Sequence, residues 1–454
     1  MTPRLSGSKG TRARAAKAGP SAYELDVIKL GHVDSRQLTL MILYLLATKI
    51  FLMFPSFVTL RAGTAAWISV LISASIAAFG LWGWLLWTRS TGNLGIIPSL
   101  RLTLGRVLGD IAGLFLAVYF ILTTSLSVRT FSGGAIIGLL QEFPLEILIG
   151  IVIVAAMYAA WLGLEAVGRA ATFFFPLIVV SILLVALGAY RLFDIRHLYP
   201  LLGLGTGVVL KEGLTHTGLF ASLSAVAVLK SYVREPRDLG RSSFKGLCLA
   251  TVFMVASVIV VASMFPYPEN TRQVIPLGIV ARAVYLGRFL QRIEALFTFT
   301  WFFASAVHAS VSYMMTLVLL SQLMNTHTYR PIVPAVASLT FGIAANPGSI
   351  LEAGRLLDSV HVTAGNIEVA LGWLLFLIGK LGNVSDKAAR VSRQLDRLKE
   401  DPSYSEDYTR AKSVDLQRRE SDTETPNQRT QVNAETGEGP KGINEGNRGG
   451  GPSN

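Results

Sequence analysis

Long apolar stretches separated by short polar segments dominate the pattern of this 454-residue chain. A bilayer core of roughly 30 Å is crossed by about 20 apolar residues of helix. Ten stretches approach or exceed that length, and the pattern therefore predicts an all-α membrane protein with ten transmembrane helices. The predicted spans cover residues 36–60, 65–88, 107–131, 145–162, 170–190, 201–230, 244–265, 292–323, 331–345 and 366–381.

Two of these spans carry polar residues near their centres. Span 6 contains residues 213–218 (GLTHTG), and span 1 contains Thr48 and Lys49, with Pro55 following. Polar backbone at membrane depth is tolerated only where it is buried in protein or lines a wet cavity. We therefore predict that spans 1 and 6 are discontinuous helices. The alternative for span 6 is that its glycines merely allow close helix packing.

The positions of the two interruptions predict an inverted repeat. Each begins one half of the chain, spans 1–5 or spans 6–10, and an odd number of spans makes the halves run in opposite directions. Interrupted segments at matching positions of inverted halves indicate a binding site near the membrane midplane. The free N–H and C=O groups of half-helix ends suit a small zwitterion.

Lys49 and His216 each allow more than one interpretation. A lysine at the bilayer centre costs about 2.5–3.5 kcal/mol on insertion scales. Lys49 could contact a ligand carboxylate, occupy a cation site, or pair with an acid such as Glu294, and that pair could be purely structural. His216 could contact a ligand or act in gating, or it could be a hydrogen-bonded residue of the core.

Span 8 presents a polar face. Six of its residues are spaced 4, 3, 4, 3 and 4 apart, which places them on one side of a helix. This face should point into the bundle, where it could line a path or hold helices together. Its members are Glu294, Thr298, Trp301, Ser305, His308 and Ser312. Span 3 has a weaker version in Tyr119, Thr123, Ser127 and Thr130.

These patterns define a candidate site. We predict a structural or gating role for Gly213, Glu294 and Pro55. The predicted ligand-binding residues are Thr48, Lys49, Thr215, His216, Thr217, Gly218, Phe220, Trp301, His308 and Tyr119. No P-loop, metal-ligand cluster or nucleophile–base pair is recognisable, so we expect no enzymatic activity, no cofactor and no metal.

Composition agrees with a membrane protein and places the ends of the chain. The sequence is 51% hydrophobic and 15% charged, with a mean hydropathy of +0.49. The net charge of +12 gathers in tails and short loops, which indicates membrane orientation rather than nucleic-acid binding. We predict a transmembrane domain over 34–382 between two polar, disordered, cytoplasmic tails, 1–33 and 383–454.

Several short motifs follow one another along the chain. They are Phe54-Pro55, Ala66-Trp67-Ile68, Phe143-Pro144, 163–169 (GLEAVGR), 198–202 (LYPLL) and 292–297 (RIEALF) with Trp301. In this order and spacing they resemble the spore germination permease family, within the amino acid–polyamine–organocation superfamily. The resemblance covers residues 33–382. The chain departs from the family at Ala65, where an Asp is common, at Lys49, and after Phe220, where an acidic residue is common.

The resemblance implies a fold and a role. The fold is two inverted five-helix repeats with a pocket between spans 1, 3, 6 and 8. The role is that of the B subunit of a GerA-type nutrient germinant receptor in the inner membrane of a bacterial spore, with both termini on the core side. The implied partners are membrane lipid, a small nutrient such as an amino acid, an A subunit and a C-subunit lipoprotein, without nucleic acid. Alternatives are a proton- or sodium-coupled amino acid transporter, or a passive scaffold.

Overall fold

The computed structural model describes residues 31–138, 140–284, 293–326 and 328–400, and every named element in those ranges is helical. The α-helices, numbered in chain order, are α1 Ser35–Ala47, α2 Phe54–Ala62, α3 Ala66–Ser90, α4 Ile96–Leu104, α5 Arg106–Gly138, α6 Leu145–Leu162, α7 Leu164–Gly188, α8 Thr206–Thr215, α9 Ala225–Leu229, α10 Asp238–Met264, α11 Pro276–Ala283, α12 Ile293–Leu323, α13 Val333–Ala345, α14 Ile350–Val360, α15 Asn366–Leu381 and α16 Val384–Glu400.

Seven helical stretches in the described part are long and apolar enough to cross a membrane, and two apolar stretches, 217–232 and 330–345, are shorter. The seven are Phe54–Ser90, Arg106–Gly138, Leu145–Leu162, Leu164–Gly188, Asp238–Met264, Glu294–Leu323 and Ile350–Leu381. The expected helical membrane protein is therefore present. Of the two predicted tails, residues 1–30 and 401–454 lie outside the described residues, and residues 384–400 form helix α16.

The chain leaves α-helical geometry at both predicted interruptions. Between α1 and α2 it forms a 3₁₀ turn at Thr48–Phe51. Between α8 and α9 it forms a 3₁₀ turn at Thr217–Phe220. Pro55 lies in the first turn of α2, where the missing N–H of proline leaves no helical bond unmade.

Two helices begin earlier than the sequence pattern predicts. Helix α7 begins at Leu164 rather than 170, directly after Gly163, whose φ of 103° makes the turn from α6. The last predicted span begins at 350 rather than 366, because α14 joins α15 through a π-helical turn at His361–Gly365. Because three charged residues lower the hydropathy of α14, the apolar pattern did not predict this helix. They are Glu352, Arg355 and Asp358.

Helix α12 lies at the centre of the helical bundle. Of its apolar stretch of 18 residues, 83% is buried inside the protein, whereas the corresponding share for α7 is 22%. It packs against α5, α6, α7 and α1. The polar face predicted for this helix therefore faces protein and not lipid, because almost the whole helix is enclosed by other helices.

Helices α3 and α15 approach closely through glycines. A Cβ at Gly372 would lie 2.7 Å from the indole ring and the backbone nitrogen of Trp84. A Cβ at Gly83 would lie 2.7 Å from the ring of Trp373. Each glycine thus receives a tryptophan of the opposite helix. Small residues at such contacts let membrane helices pack by van der Waals attraction.

This contact generates a stability prediction. Gly372→Ala should destabilise the protein by about 1–3 kcal/mol, because the new methyl overpacks against Trp84. Gly342→Ala on the exposed side of α13 is the matched control, since no atom lies within 4 Å of its added Cβ. That control should stabilise by about 0.5–1 kcal/mol through helix propensity. Thermal unfolding of the purified variants measures both, and equal melting temperatures would contradict the close approach.

Candidate functional site

The interruption after α1 contacts α12 through Thr48 and His308. The Thr48 hydroxyl donates to the Tyr44 carbonyl at 2.8 Å and lies 2.9 Å from His308 Nδ1. His308 Nδ1 also lies 3.0 Å from the same carbonyl. Because a carbonyl only accepts, the geometry assigns the proton of the neutral ring to Nδ1. His308 Nε2 is then an acceptor, and it has no hydrogen-bond partner among the described residues.

Lys49 links the two interruptions directly. Its side chain is 5% exposed, and its Nζ donates to the carbonyl of Leu219 in the turn between α8 and α9. The carboxylate that interacts electrostatically with it is Glu368 of α15, which is fully buried. Glu294, the acid considered from the sequence, lies half-buried in the first turn of α12. The structure therefore makes Glu368 the acid of this site.

Helix α15 also caps the broken ends around the α8–α9 interruption. The Asn366 side chain donates to the Thr215 carbonyl and accepts from the Gly218 amide, both at 2.6 Å. Glu368 Oε1 accepts from the Ser224 amide at 2.5 Å. These bonds satisfy backbone groups that the interruption removes from helical bonding. One helix thus holds both ends of the non-helical segment.

The two glycines of the interruption also serve close packing. A Cβ at Gly218 would lie 1.9 Å from the carbonyl oxygen of His361, in the π turn. A Cβ at Gly213 would lie 2.6 Å from Ile72 Cγ2 on α3, and Ser73 donates to the Gly213 carbonyl at 2.8 Å. The packing alternative and the discontinuous helix are therefore both realised in span 6.

The other predicted site residues of span 6 face in different directions. Phe220 is fully buried. The Thr217 hydroxyl bonds back to the carbonyls of Gly213 and Leu214, both at 3.1 Å, so it stabilises its own turn. The Thr215 side chain is half-buried. In this structure Thr217 is thus a local cap, while Thr215 and Gly218 present backbone groups to α15.

Aromatic side chains form one wall of the site. The ring of Trp301 on α12 lies 6.4 Å from that of Phe51 in a stacked arrangement, and 6.1 Å from that of Phe131 on α5, nearly edge-on. Trp301 Nε1 is buried with no hydrogen-bond partner among the described residues. Tyr119 on α5 is also buried, with its ring edge-on to Phe120.

The polar face of α12 points into the bundle as predicted. Its C-terminal part contacts a neighbouring helix, since Ser312 accepts from the Thr124 hydroxyl of α5 at 2.6 Å. Its N-terminal part lines a small cavity together with Phe131, through Thr298, Trp301 and Ser305. The same face therefore both joins helices and borders internal space.

A second internal cavity lies where the two interruptions meet. Its volume is about 30 Å³, which holds one or two water molecules. Polar side chains border one part of it, and apolar side chains of α2 and α14 cover most of the rest. Its lining residues are Lys49, Leu52, Met53, Phe54, Phe57, Val58, Thr130, Leu219, Gly354, Leu357, Asp358 and His361.

An ion-pair network joins α2, α8 and α14 beside this cavity. Arg61 makes a two-bond contact to Asp358, at 2.5 and 3.2 Å, and its Nη1 lies 2.5 Å from His216 Nε2. His216 Nδ1 lies 2.9 Å from Glu212 Oε2. Because arginine only donates, His216 Nε2 accepts and its Nδ1 carries the proton that faces Glu212. His216 therefore belongs to this network and not to the cluster around Lys49.

Six site residues were missed in the sequence. Arg61 falls just past the predicted end of span 1, while Asp358 and His361 precede the predicted start of span 10. Glu212 lies inside span 6, and Asn366 and Glu368 lie inside span 10. A carboxylate within an apolar span is by itself a sign of function, so Glu212 and Glu368 could have been found. The other four carry no such signal, because only the tertiary structure brings them together.

Asn366 generates a prediction for the interruption. Asn366→Ala leaves the Thr215 carbonyl and the Gly218 amide without their partner, at a cost of about 1–3 kcal/mol for each buried group. We expect faster hydrogen–deuterium exchange in peptides covering residues 215–220, with little change in α5. Asn346→Ala is the matched control, because Asn346 is exposed at the end of α13. Unchanged exchange at 215–220 would contradict the capping role.

Comparisons with known proteins agree on one family. The family described as "Spore germination protein" matches residues 32–349. Spore germination protein A2 of Bacillus subtilis (strain 168) is 23% identical over 54% of this chain and 68% of its own length. Spore germination protein YndE of the same organism is 24% identical over 59% of this chain and 75% of its own.

A solved structure shares the fold. The crystal structure of MhsT in complex with L-phenylalanine matches with a TM-score of 0.53 at 16% sequence identity. The match covers 76% of this chain and 88% of that one. The similarity extends over most of the described helices and concerns the fold alone.

Proposed function

The chain belongs to the spore germination protein family, and from that premise we propose that it is the membrane-embedded subunit of a nutrient germinant receptor. It is an integral membrane protein with the helices of a permease. In the proposed role it binds a small nutrient near the membrane midplane and thereby triggers germination. It has no enzymatic activity of its own.

The observation that carries this proposal is the cavity where the two interruptions meet. A polar end formed by Lys49 and His361 and an apolar side formed by Phe54, Phe57 and Leu357 suit a small molecule with one charged and one apolar part. An amino acid has this character. MhsT, which shares the fold, was solved with L-phenylalanine bound.

The cavity has to widen to admit such a ligand. At about 30 Å³ it holds no more than one or two waters. Widening would bring Thr48, Thr215, Gly218 and Phe220 within reach, and on the α5 and α12 side Tyr119, Trp301 and His308. A ligand that binds the wider packing better shifts the population toward it. The Arg61–Asp358 pair beside the cavity is the contact we expect to open, with Glu212 and His216 following it.

The finer architecture belongs to this proposal. We take the helices to form ten spans in two inverted five-helix repeats, the first spans 1–5 and the second spans 6–10. Both termini then lie on the spore-core side of the inner membrane. An A-type subunit and a C-type lipoprotein complete the receptor, and purification from spore membranes tests whether they accompany this chain.

Deletion of the gene tests the role. Spores without it should lose their response to one nutrient class and keep their response to others. Complementation with the wild-type gene should restore the response. Normal germination with every nutrient would rule the receptor role out.

A substitution in α14 tests the cavity. Leu357→Trp fills the cavity with a larger side chain and should raise the nutrient concentration for half-maximal germination at least about tenfold, since each 1.4 kcal/mol of lost binding is a factor of ten. Leu356→Trp is the matched control, because Leu356 is exposed on the outer side of the same helix. The control should respond like wild type. Immunoblots of spore membranes check that both variants accumulate equally.

The alternative function is an amino acid transporter coupled to protons or sodium. The fold shared with MhsT permits it, and the same cavity would serve. Accumulation of labelled amino acid by reconstituted vesicles along an ion gradient would favour transport. A passive scaffold, the third possibility, predicts that Leu357→Trp leaves the nutrient dose response unchanged.

A further inference from the structure

We propose that the crevice between α7 and α10 binds an acyl chain of a membrane lipid, whose end reaches the interruption after α1. This site lies on a second side of the interruption, away from the candidate ligand cavity. Binding of the chain does not rest on the proposed receptor function, so the two can fail separately.

Helices α7 and α10 form the two sides of the crevice. Both pack against α1, but they make few contacts with each other. The gap between them therefore has α1 as its floor. On α7 the bordering side chains are spaced three and four residues apart, which places them on one helix face. They are Phe175, Ile178 and Ile182, and Phe253 of α10 stands opposite.

A cavity of about 30 Å³ lies at the bottom of the crevice. One group of the size of a water molecule needs about 10–15 Å³, so about two carbons of a chain fit. Ala304 of α12 closes the cavity on its far side. Its floor is formed by α1 and the turn that follows, through Leu43, Tyr44, Ala47, Thr48, Ile50 and Phe51.

The chemistry of the wall favours hydrocarbon over water. The described residues that line the cavity expose only carbon atoms to it. The Thr48 hydroxyl is already engaged, because it donates to the Tyr44 carbonyl and lies 2.9 Å from His308 Nδ1. A buried water needs about two to four polar partners, and an apolar cavity stays dry. An alkyl chain instead supplies the dispersion contacts that an empty cavity denies to the atoms around it.

The mouth of the crevice faces the hydrocarbon of the bilayer. Helix α7 is of membrane length, and only 22% of its apolar stretch is buried inside the protein. Phe173, Val180 and Leu183 on its outer face are apolar and exposed, and so is Val252 beside Phe253 on α10. Lipid chains therefore lie along both rims, and one can enter sideways without crossing water.

The turn after α1 separates this crevice from the candidate ligand cavity. Thr48, Ile50 and Phe51 border the crevice, whereas Lys49, Leu52 and Met53 border the ligand cavity. Widening of the ligand cavity would therefore move the turn toward the lipid chain. A lipid chain can withdraw into the bilayer, while a side chain of the bundle cannot. This consequence alone rests on the proposed function.

Photolabelling of the full-length protein in nanodiscs tests the site. The nanodiscs contain phosphatidylglycerol with a diazirine near the end of one acyl chain, and mass spectrometry locates the label after irradiation. Peptides covering residues 43–51 should be labelled, although every side chain in this range is buried. Helix α9 provides the background, because Ala225–Leu229 are equally buried and the crevice does not reach them.

Two substitutions on α7 distinguish the crevice from the general lipid surface. Ile178→Trp fills the crevice and should abolish the labelling of residues 43–51, while the exposed face of α7 stays labelled. Leu183→Trp is the matched control, because Leu183 is exposed on that outer face. Its residues 43–51 should be labelled as in the wild type. Phe253→Ala on α10 widens the crevice and should increase this labelling.

The proposal is overturned if residues 43–51 of the wild type carry no more label than α9, or if Ile178→Trp leaves their label unchanged. If Ile178→Trp is not recovered folded, Phe253→Ala decides, and an unchanged label contradicts the site. Sporulating cells fed a diazirine fatty acid repeat the test in spore membranes. Absence of the label from residues 43–51 there would assign the crevice to a partner protein instead of a lipid.

Discussion

The structure depends on satisfying the backbone groups that two broken helices release at membrane depth. Water cannot bond them in the hydrocarbon core, so protein groups have to. Lys49 donates to the carbonyl of Leu219, and Glu368 accepts from the amide of Ser224. The side chain of Asn366 donates to the Thr215 carbonyl and accepts from the Gly218 amide. These side chains come from the turn Thr48–Phe51 and from α15, which makes the two interruptions and α15 one connected unit.

This unit gives the site a rigid centre, while the contact at its edge is weaker and can be displaced. Its members are charged or strongly polar, and almost all are buried, so each holds its partner in one geometry. Its outer neighbour, the Arg61–Asp358 pair, is partly exposed and so contributes less to stability. A ligand therefore has a weak contact to displace at the edge of the site and a strong framework to bind against at its centre.

Most of the helices could be predicted from the sequence, because each membrane helix is a continuous stretch of apolar residues. The interruptions were predicted for the same reason, since the residues 213–218 and Lys49 are local departures from an apolar run. Helix α14 was missed because its three charged residues lower the hydropathy of the stretch, and the pairing of Asp358 with Arg61 is a tertiary property. The network around His216 was missed likewise, for Arg61, Glu212 and Asp358 lie far apart in sequence.

The π turn at His361–Gly365 has a geometric consequence for the helix that contains it. A π turn holds one more residue than an α turn, and one residue corresponds to a rotation of about 100° around the helix axis. Conversion of this turn to α-helical bonding would rotate Asp358 on one side of it against Asn366 and Glu368 on the other. Such a conversion would therefore turn the partner of Arg61 relative to the two side chains that hold the segment between α8 and α9.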